Sequence, residues 1–284
     1  MRVANVSGRL AADTGSGFAD VERASAGRFG PSPQAVYDDW GAFCEWARRA
    51  SLRGNGVPDP ALLGPPVPQP RQVFAVALNY PEHAAEGGFT PPNTPLIFTK
   101  YPTCLTGPHA EVDLPTPMVD WEVELVAVIG TQGAHIAEAD AWACVAGVTV
   151  GQDLSARDVQ RRGPAPQFSL GKSFPGFGPI GPWVVTTDEL GPRDVQLECV
   201  LNGETVQSET SSEMIFPVPQ LIAYISAITP MLPGDLLFTG TPSGVGARRD
   251  PPRFLRAGDQ LASRIEGIGE IFQTFHDNEK GQAA

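Results

Sequence analysis

The amino-acid sequence predicts a β-rich α+β fold, and three observations carry that reading. The chain of 284 residues holds 31 Gly and 29 Pro. That content disfavours a helical bundle, because inside a helix Pro costs about 3 kcal/mol and Gly about 1 kcal/mol. Short apolar runs recur between turns such as Pro91-Pro92-Asn93 and Leu232-Pro233-Gly234-Asp235, as strands joined by tight connections require. The regular strand–helix alternation of a Rossmann or TIM-type fold is missing, and so is any internal repeat.

The first element read along the chain is a helix. Ser32 suits its N-cap and Pro33 its first position, where a missing N–H costs nothing. Val36, Trp40, Phe43, Ala47 and Ala50 then recur at helical spacing, and Gly54 offers a stop. Residues 54–70, GNGVPDPALLGPPVPQP, cannot be a helix and read as a stiff linker. They divide the chain into a small N-terminal unit, 1–70, and a main domain, 71–284. In the main domain, strands are expected at 72–78, 122–129, 145–150, 183–187, 195–201, 236–238 and 270–275. Helices are expected at 81–86, 137–143, 155–162 and 218–228.

Charge narrows the partners. With 20 Lys+Arg against 32 Asp+Glu, the formal net charge is −12. That balance argues against nucleic acid or an anionic membrane as the main partner. No apolar run reaches the roughly 18 residues that span a bilayer. Residues 1–30 show no apolar segment of a secretory signal. Cys44, Cys104, Cys144 and Cys199 form no C-x-x-C pair, so reduced thiols in a cytoplasmic protein are expected rather than a disulfide framework or zinc knuckle.

Four segments carry chemistry. In Asn79-Tyr80-Pro81-Glu82-His83-Ala84-Ala85-Glu86, His83 and Glu86 share a face if the segment is helical. A Glu that holds one imidazole nitrogen leaves the other free as a base. In Asp120-Trp121-Glu122-Val123-Glu124-Leu125, strand alternation puts Glu122 and Glu124 on one face, where two carboxylates repel unless solvated or neutralised by a cation. In Gln152-Asp153-Leu154-Ser155-Ala156-Arg157-Asp158-Val159-Gln160, Asp153 could complete an oxygen-ligand set for a hard divalent ion, and Arg157 offers a fork for a carboxylate. The fourth segment has two parts. Lys172 in Gly171-Lys172-Ser173-Phe174 offers a point charge for an anion, and the loop Thr239-Gly240-Thr241-Pro242-Ser243-Gly244-Val245-Gly246 offers N–H groups and Thr hydroxyls. The loop lacks the Gly-Lys-Ser/Thr ending of a nucleotide P-loop. Taken singly, each segment reads equally well as an ordinary turn, cap or polar strand face.

In this order, the segments resemble the fumarylacetoacetate hydrolase superfamily over roughly residues 72–275. Asn202-Gly203-Glu204, Gln207, Pro233-Gly234-Asp235 and Ala257-Gly258-Asp259 match as well. The resemblance implies a mixed β-roll, a homodimer, and a small variable N-terminal domain in residues 1–70. It implies Mg²⁺ or Mn²⁺ on Glu122, Glu124 and Asp153, with His83 and Glu86 activating water on a lid. Lys172 would balance an oxyanion, and Tyr80, Arg157, Gln160, Lys172 and Thr241 would contact a small 2-oxo carboxylate. The expected reaction is hydrolysis of a C–C bond in an acylpyruvate or fumarylpyruvate-like 2,4-dioxo acid. Decarboxylation of oxaloacetate, isomerisation or hydration of a 2-oxo acid, or a catalytically silent binding module are the alternatives. Two departures stand out. Pro175-Gly176 replaces the usual Asp-Thr after Lys-Ser-Phe, and Gln152 precedes Asp153 where Asn is common.

Overall fold

The computed structural model describes residues 1–54, 56–191 and 194–277; the last part of the expected main domain, 278–284, lies outside them. Two sheets dominate. The larger has 11 strands, and its centre runs Arg2–Val6, Gly178–Thr186, Val145–Gln152, Val123–Ile129, Leu236–Phe238, Val73–Ala77 and the edge strand Leu96–Thr99. The smaller runs Glu204–Thr210, Gln196–Leu201, Gln260–Ile265, Gly269–Asp277 and His109–Leu114. Pairing is mixed, with parallel neighbours at Val73–Ala77 and at His109–Leu114. This is the β-rich α+β architecture expected.

The Val123–Ile129 strand shows why the core divides. Val123, Leu125 and Ala127 pack toward Leu197, Leu261 and Ile271 of the smaller sheet. Val126 and Val128 point the other way, into a cluster with Trp40 and Phe43 of the N-terminal helix. A strand covered on both faces needs a nearly continuous apolar run, which VELVAVI supplies apart from Glu124.

The N-terminal elements differ in detail from expectation. The expected first helix is a 3₁₀ turn at Ala35–Asp39, with Ser32 Oγ accepting from the Ala35 N–H, followed by an α-helix at Trp40–Arg49. Gly54 does not stop it. The helix ends at Arg49, and Gly54 sits against the Gly17 backbone, where a Cβ would lie 2.2 Å from the Gly17 carbonyl carbon. Strands Arg2–Val6 and Arg9–Asp13 went unforeseen, although Ser7-Gly8 joins them as a tight turn with φ of 51° and 79°. The first of them pairs with Gly178–Thr186, so the larger sheet passes through the boundary at residue 70 without a break.

Nor do residues 54–70 act as a spacer. Asp59 caps the 3₁₀ turn Pro60–Leu62, Leu63–Gly64 pairs with Arg2–Val6, and Val67 is fully buried. Proline excludes a long helix, but it suits the first position of a short turn. Elsewhere the helix expected at 155–162 shrinks to Arg157–Gln160, and that at 137–143 is 3₁₀, Glu138–Cys144. Strand 183–187 begins earlier, as Gly178–Thr186.

The aromatic wedge fastens the N-terminal helix to the sheet. Phe43 is fully buried and meets Phe29 edge-on at 5.5 Å and Trp40 at 5.5 Å. Phe43→Ala is expected to cost about 3–5 kcal/mol, read as a lower urea midpoint at unchanged slope. A loss under about 1 kcal/mol would show that this cluster collapses around the void.

Candidate active site

Strand register assembles the acids. Val123 pairs with Gln152, so the residues just outside the pair, Glu122 and Asp153, also meet. The Asp153 N–H donates to the Glu122 carbonyl at 2.9 Å, and Gln152 Oε1 accepts from the Glu122 N–H at 2.9 Å. Gln152 is itself held by Ser263 Oγ of the smaller sheet at 2.8 Å, a reach that the longer side chain at this position serves. Carboxylate oxygens of Glu122, Glu124 and Asp153 all lie within 4.8 Å of one another, and all three residues are buried. Gly240, at φ +95°, brings its N–H to 2.7 Å from Glu124 Oε2; a Cβ there would strike Asn79 at 2.7 Å.

Three cations surround this cluster. Lys172, at the end of the short helix Phe168–Gly171, places Nζ 2.5 Å from Glu122 and 2.6 Å from Asp153. Lys100, fully buried after the edge strand, donates from Nζ to Asp153 Oδ1 at 2.6 Å, to the Phe177 carbonyl at 3.1 Å and to the Lys172 carbonyl. Arg157 binds Asp120 through Nε at 2.8 Å and Glu122 through Nη2 at 2.7 Å. Asp120 also accepts the N–H groups of Gly246 and Ala247.

The pKa directions follow from these partners. Burial alone would raise the Glu122 carboxyl, yet Lys172 and Arg157 outweigh it and hold the group well below its ordinary range. Glu124 goes the other way, because burial and the charges of Asp153 and Glu122 raise it far above normal. Burial works against the Lys172 ammonium, but Asp153 and Glu122 together still raise its pKa.

The His83–Glu86 pair expected from the sequence forms. Helix Pro81–Glu86 starts on Pro81, and His83 Nδ1 lies 2.7 Å from Glu86 Oε1. The other oxygen of Glu86 accepts from the Gly244 N–H at 2.9 Å, so the Gly-rich loop fixes the carboxylate that fixes the imidazole. The helix follows Asn79, whose side chain bonds Phe216 and Thr239 and ties this turn to the sheet.

His83, Glu122, Arg157, Gln160, Lys172 and Thr241 open onto one cavity of about 400 Å³, with Phe89, Phe98 and Phe168 among its walls. Three expectations need adjusting. Tyr80 does not line the cavity; it is buried, and its hydroxyl has no hydrogen-bond partner among the described residues. Arg157 does not present a free fork, because Asp120 and Glu122 occupy Nε and Nη2. Thr241 Oγ1 is spent on the Val123 carbonyl and Gln207. Sequence reading gave no role to Lys100, Asp120 or Gln207. Asp120 stood inside a quoted segment, and Lys100 ends an apolar run, Leu96-Ile97-Phe98-Thr99, that itself escaped notice.

A divalent cation fits the donor set. Four buried acids, Asp120, Glu122, Glu124 and Asp153, face three cations, Lys100, Lys172 and Arg157. The deficit falls on Glu124, which has the Gly240 N–H and no cationic partner among the described residues. Clustered carboxylate oxygens one positive charge short suit a hard ion such as Mg²⁺ or Mn²⁺.

Comparison with known proteins agrees with this architecture. Residues 72–276 match the model of the fumarylacetoacetate hydrolase C-terminal domain. A human relative named oxaloacetate tautomerase FAHD2A, mitochondrial, is 46% identical over 209 residues, 72% of this chain and 67% of its own length. A crystal structure from Mycobacterium smegmatis superposes with a TM-score of 0.94 at 53% identity, covering 98% of this chain and 100% of that one. Fumarylpyruvate hydrolase from Pseudomonas aeruginosa, solved with Mn²⁺ and pyruvate, gives 0.67 at 32% identity, covering 74% of this chain and 91% of that one. By family model, sequence and fold, the chain belongs to the fumarylacetoacetate hydrolase family, whose members include hydrolases and tautomerases of 2-oxo acids.

Proposed function

We propose that the protein moves a proton at the carbon next to the keto group of a 2-oxo acid, interconverting its keto and enol forms. One observation carries the reading: His83, tethered to Glu86, opens onto the same cavity as Glu122 of the carboxylate cluster and its partners Lys172 and Arg157. A divalent ion on Glu122, Glu124 and Asp153 would supply charge stabilisation for the 2-oxo acid and its enolate. Glu86, itself held by Gly244, fixes the proton on His83 Nδ1 and leaves Nε2 to take the substrate proton and return it. Lys172 adds positive charge beside Glu122, where negative charge develops on the substrate. The name of the human relative supports this reading.

Hydrolysis of an acylpyruvate is the second reading, and the size of the cavity favours it. About 400 Å³ leaves room beside a pyruvate unit for an acyl group and one water. His83 would then deprotonate that water for attack on the C4 carbonyl, and the C3–C4 bond would break to release the pyruvate enolate. The pyruvate-bound hydrolase structure supports this alternative. Decarboxylation needs no base, so it leaves the His83–Glu86 pair without work.

Three assays on the wild type separate these reactions, and His83→Ala tests the base that both readings share. Loss of the oxaloacetate enol absorbance, deuterium uptake at C3, and pyruvate release from acetylpyruvate should be followed with Mn²⁺ present. A base role predicts a fall of roughly 10²–10⁴ in the reaction that the enzyme catalyses, with Mn²⁺ affinity unchanged. Retention of activity within about tenfold would remove His83 from the mechanism.

A further inference from the structure

Gln207 stands on the outermost strand of the smaller sheet, Glu204–Thr210, yet its side chain bonds only to groups outside that sheet. Oε1 accepts from the Val123 N–H at 3.0 Å. Nε2 donates to Thr241 Oγ1 at 2.9 Å and to the Pro242 carbonyl at 2.8 Å. Thr241 Oγ1 donates in turn to the Val123 carbonyl at 2.9 Å. The three residues close a ring. It holds both backbone polar groups of Val123, the residue between Glu122 and Glu124.

The hairpin is shaped for this reach. Asn202 and Gly203, with φ of 52° and 83°, make its tight turn, which sets Leu201 opposite Glu204 and Val200 opposite Thr205. Cys199 then pairs with Gln207 rather than Val206, so Val206 is an extra residue in the strand. Without that bulge Gln207 would lie opposite Glu198, whose carboxylate binds the exposed Arg264. With it, Gln207 shares the buried side of Cys199 and is 2% exposed. Re-aiming one side chain is what a bulge beside a site can do.

We propose that Gln207 is a positioning residue for the divalent-ion site, fixing the Glu122–Glu124 segment against the loop whose Gly240 N–H holds Glu124. The ring stands where a ladder is missing. The strand Leu236–Phe238 pairs with residues 126–128 and ends there, so it offers Val123 no partner. Removing the amide would leave the buried Val123 N–H and Pro242 carbonyl without these bonds and free the segment to shift against the loop. Outer partners that orient ligands in this way are worth about 10–100-fold in metal affinity. The inference rests on the reading of Glu122, Glu124 and Asp153 as the ion's ligands.

Calorimetric titration of Mn²⁺ into the wild type, Gln207→Met and Gln273→Met tests it. Met keeps the length of the side chain and removes all three bonds. Gln273 is the control: it is fully buried in the same sheet and donates to the Pro108 carbonyl at 3.0 Å, away from the acids. Gln207→Met should bind Mn²⁺ about 10–100-fold more weakly, and Gln273→Met within about threefold of wild type. Thr241→Val opens the same ring from the loop side at nearly unchanged volume and should weaken Mn²⁺ by a similar factor. It carries the test if a thermal melt shows that Gln207→Met does not fold. Wild-type affinity in folded Gln207→Met or in Thr241→Val overturns the positioning role. An equal loss in Gln273→Met overturns it too, since that would mark a general loosening of the sheet. A wild type that binds no Mn²⁺ overturns the metal reading and this inference with it.

Discussion

Glu124→Gln is expected to abolish metal-dependent activity while leaving the metal-free protein at least as stable as the wild type. Glu124 is buried, accepts from the Gly240 N–H, and has no cationic partner among the described residues. Burial and the neighbouring charges of Asp153 and Glu122 oppose its ionisation. An amide of the same shape keeps the acceptor for Gly240 and can donate to the carboxylates that now repel it. Each kcal/mol gained would raise Tm by about 2–4 °C for a chain of this size. The metal arm has the opposite sign. At a hundredfold excess over Kd, a bound ion stabilises the native state by about 2.7 kcal/mol, and this increment should vanish with the third carboxylate. Thermal melts with and without Mn²⁺, beside an assay of enol loss, read both arms. A variant stabilised by Mn²⁺ as much as the wild type would remove Glu124 from the ligand set.

Much of the site was legible because its parts are local. His83 and Glu86 lie three apart behind Pro81, and Glu122, just before the strand Val123–Ile129, stands two from Glu124 within it, so spacing alone brings each pair together. Asp153 joined them through the order of the segments, and the register Val123 to Gln152 supplies the physical reason. What escaped notice depends on partners far away in the chain. Lys100 meets Asp153 53 positions on, and the strand Arg2–Val6 pairs with residues near 185. No local periodicity encodes such contacts. The misreading of Arg157 has the same origin. The sequence shows a guanidinium on a short helix, but not that Asp120, held by Gly246 and Ala247, has already claimed it. Residues 54–70 misled because proline excludes helix without excluding packing. Leu63 and Val67 are apolar residues in that stretch, and both are buried.

Lys100→Met should be the most damaging single change outside the three clustered acids Glu122, Glu124 and Asp153. The Lys100 ammonium is fully buried and spends its donors on Asp153, the Phe177 carbonyl and the Lys172 carbonyl. Met fills nearly the same volume, so the change removes charge and hydrogen bonds with little cavity. Two backbone carbonyls and one carboxylate oxygen would then lie buried without those partners, and four acids would face two cations. Breaking a buried pair from one side costs about 3–5 kcal/mol, which should appear as a large drop in the urea midpoint. Activity should fall by about 10² or more, because Lys100 holds both Asp153 of the candidate metal cluster and the backbone that carries Lys172, and a 1 Å error at such groups is worth that much. The pairing with Asp153 can be isolated. If the damage flows from the stranded carboxylate, Lys100→Met/Asp153→Asn should be more stable than Lys100→Met alone by about 1–3 kcal/mol, with no recovery of activity. A single variant within about 1 kcal/mol of wild type would mean that Lys172 and Arg157 neutralise the cluster without Lys100. A double variant no more stable than the single one would place the damage at the two carbonyls instead, where Lys100 ties the Lys172 turn to the edge strand.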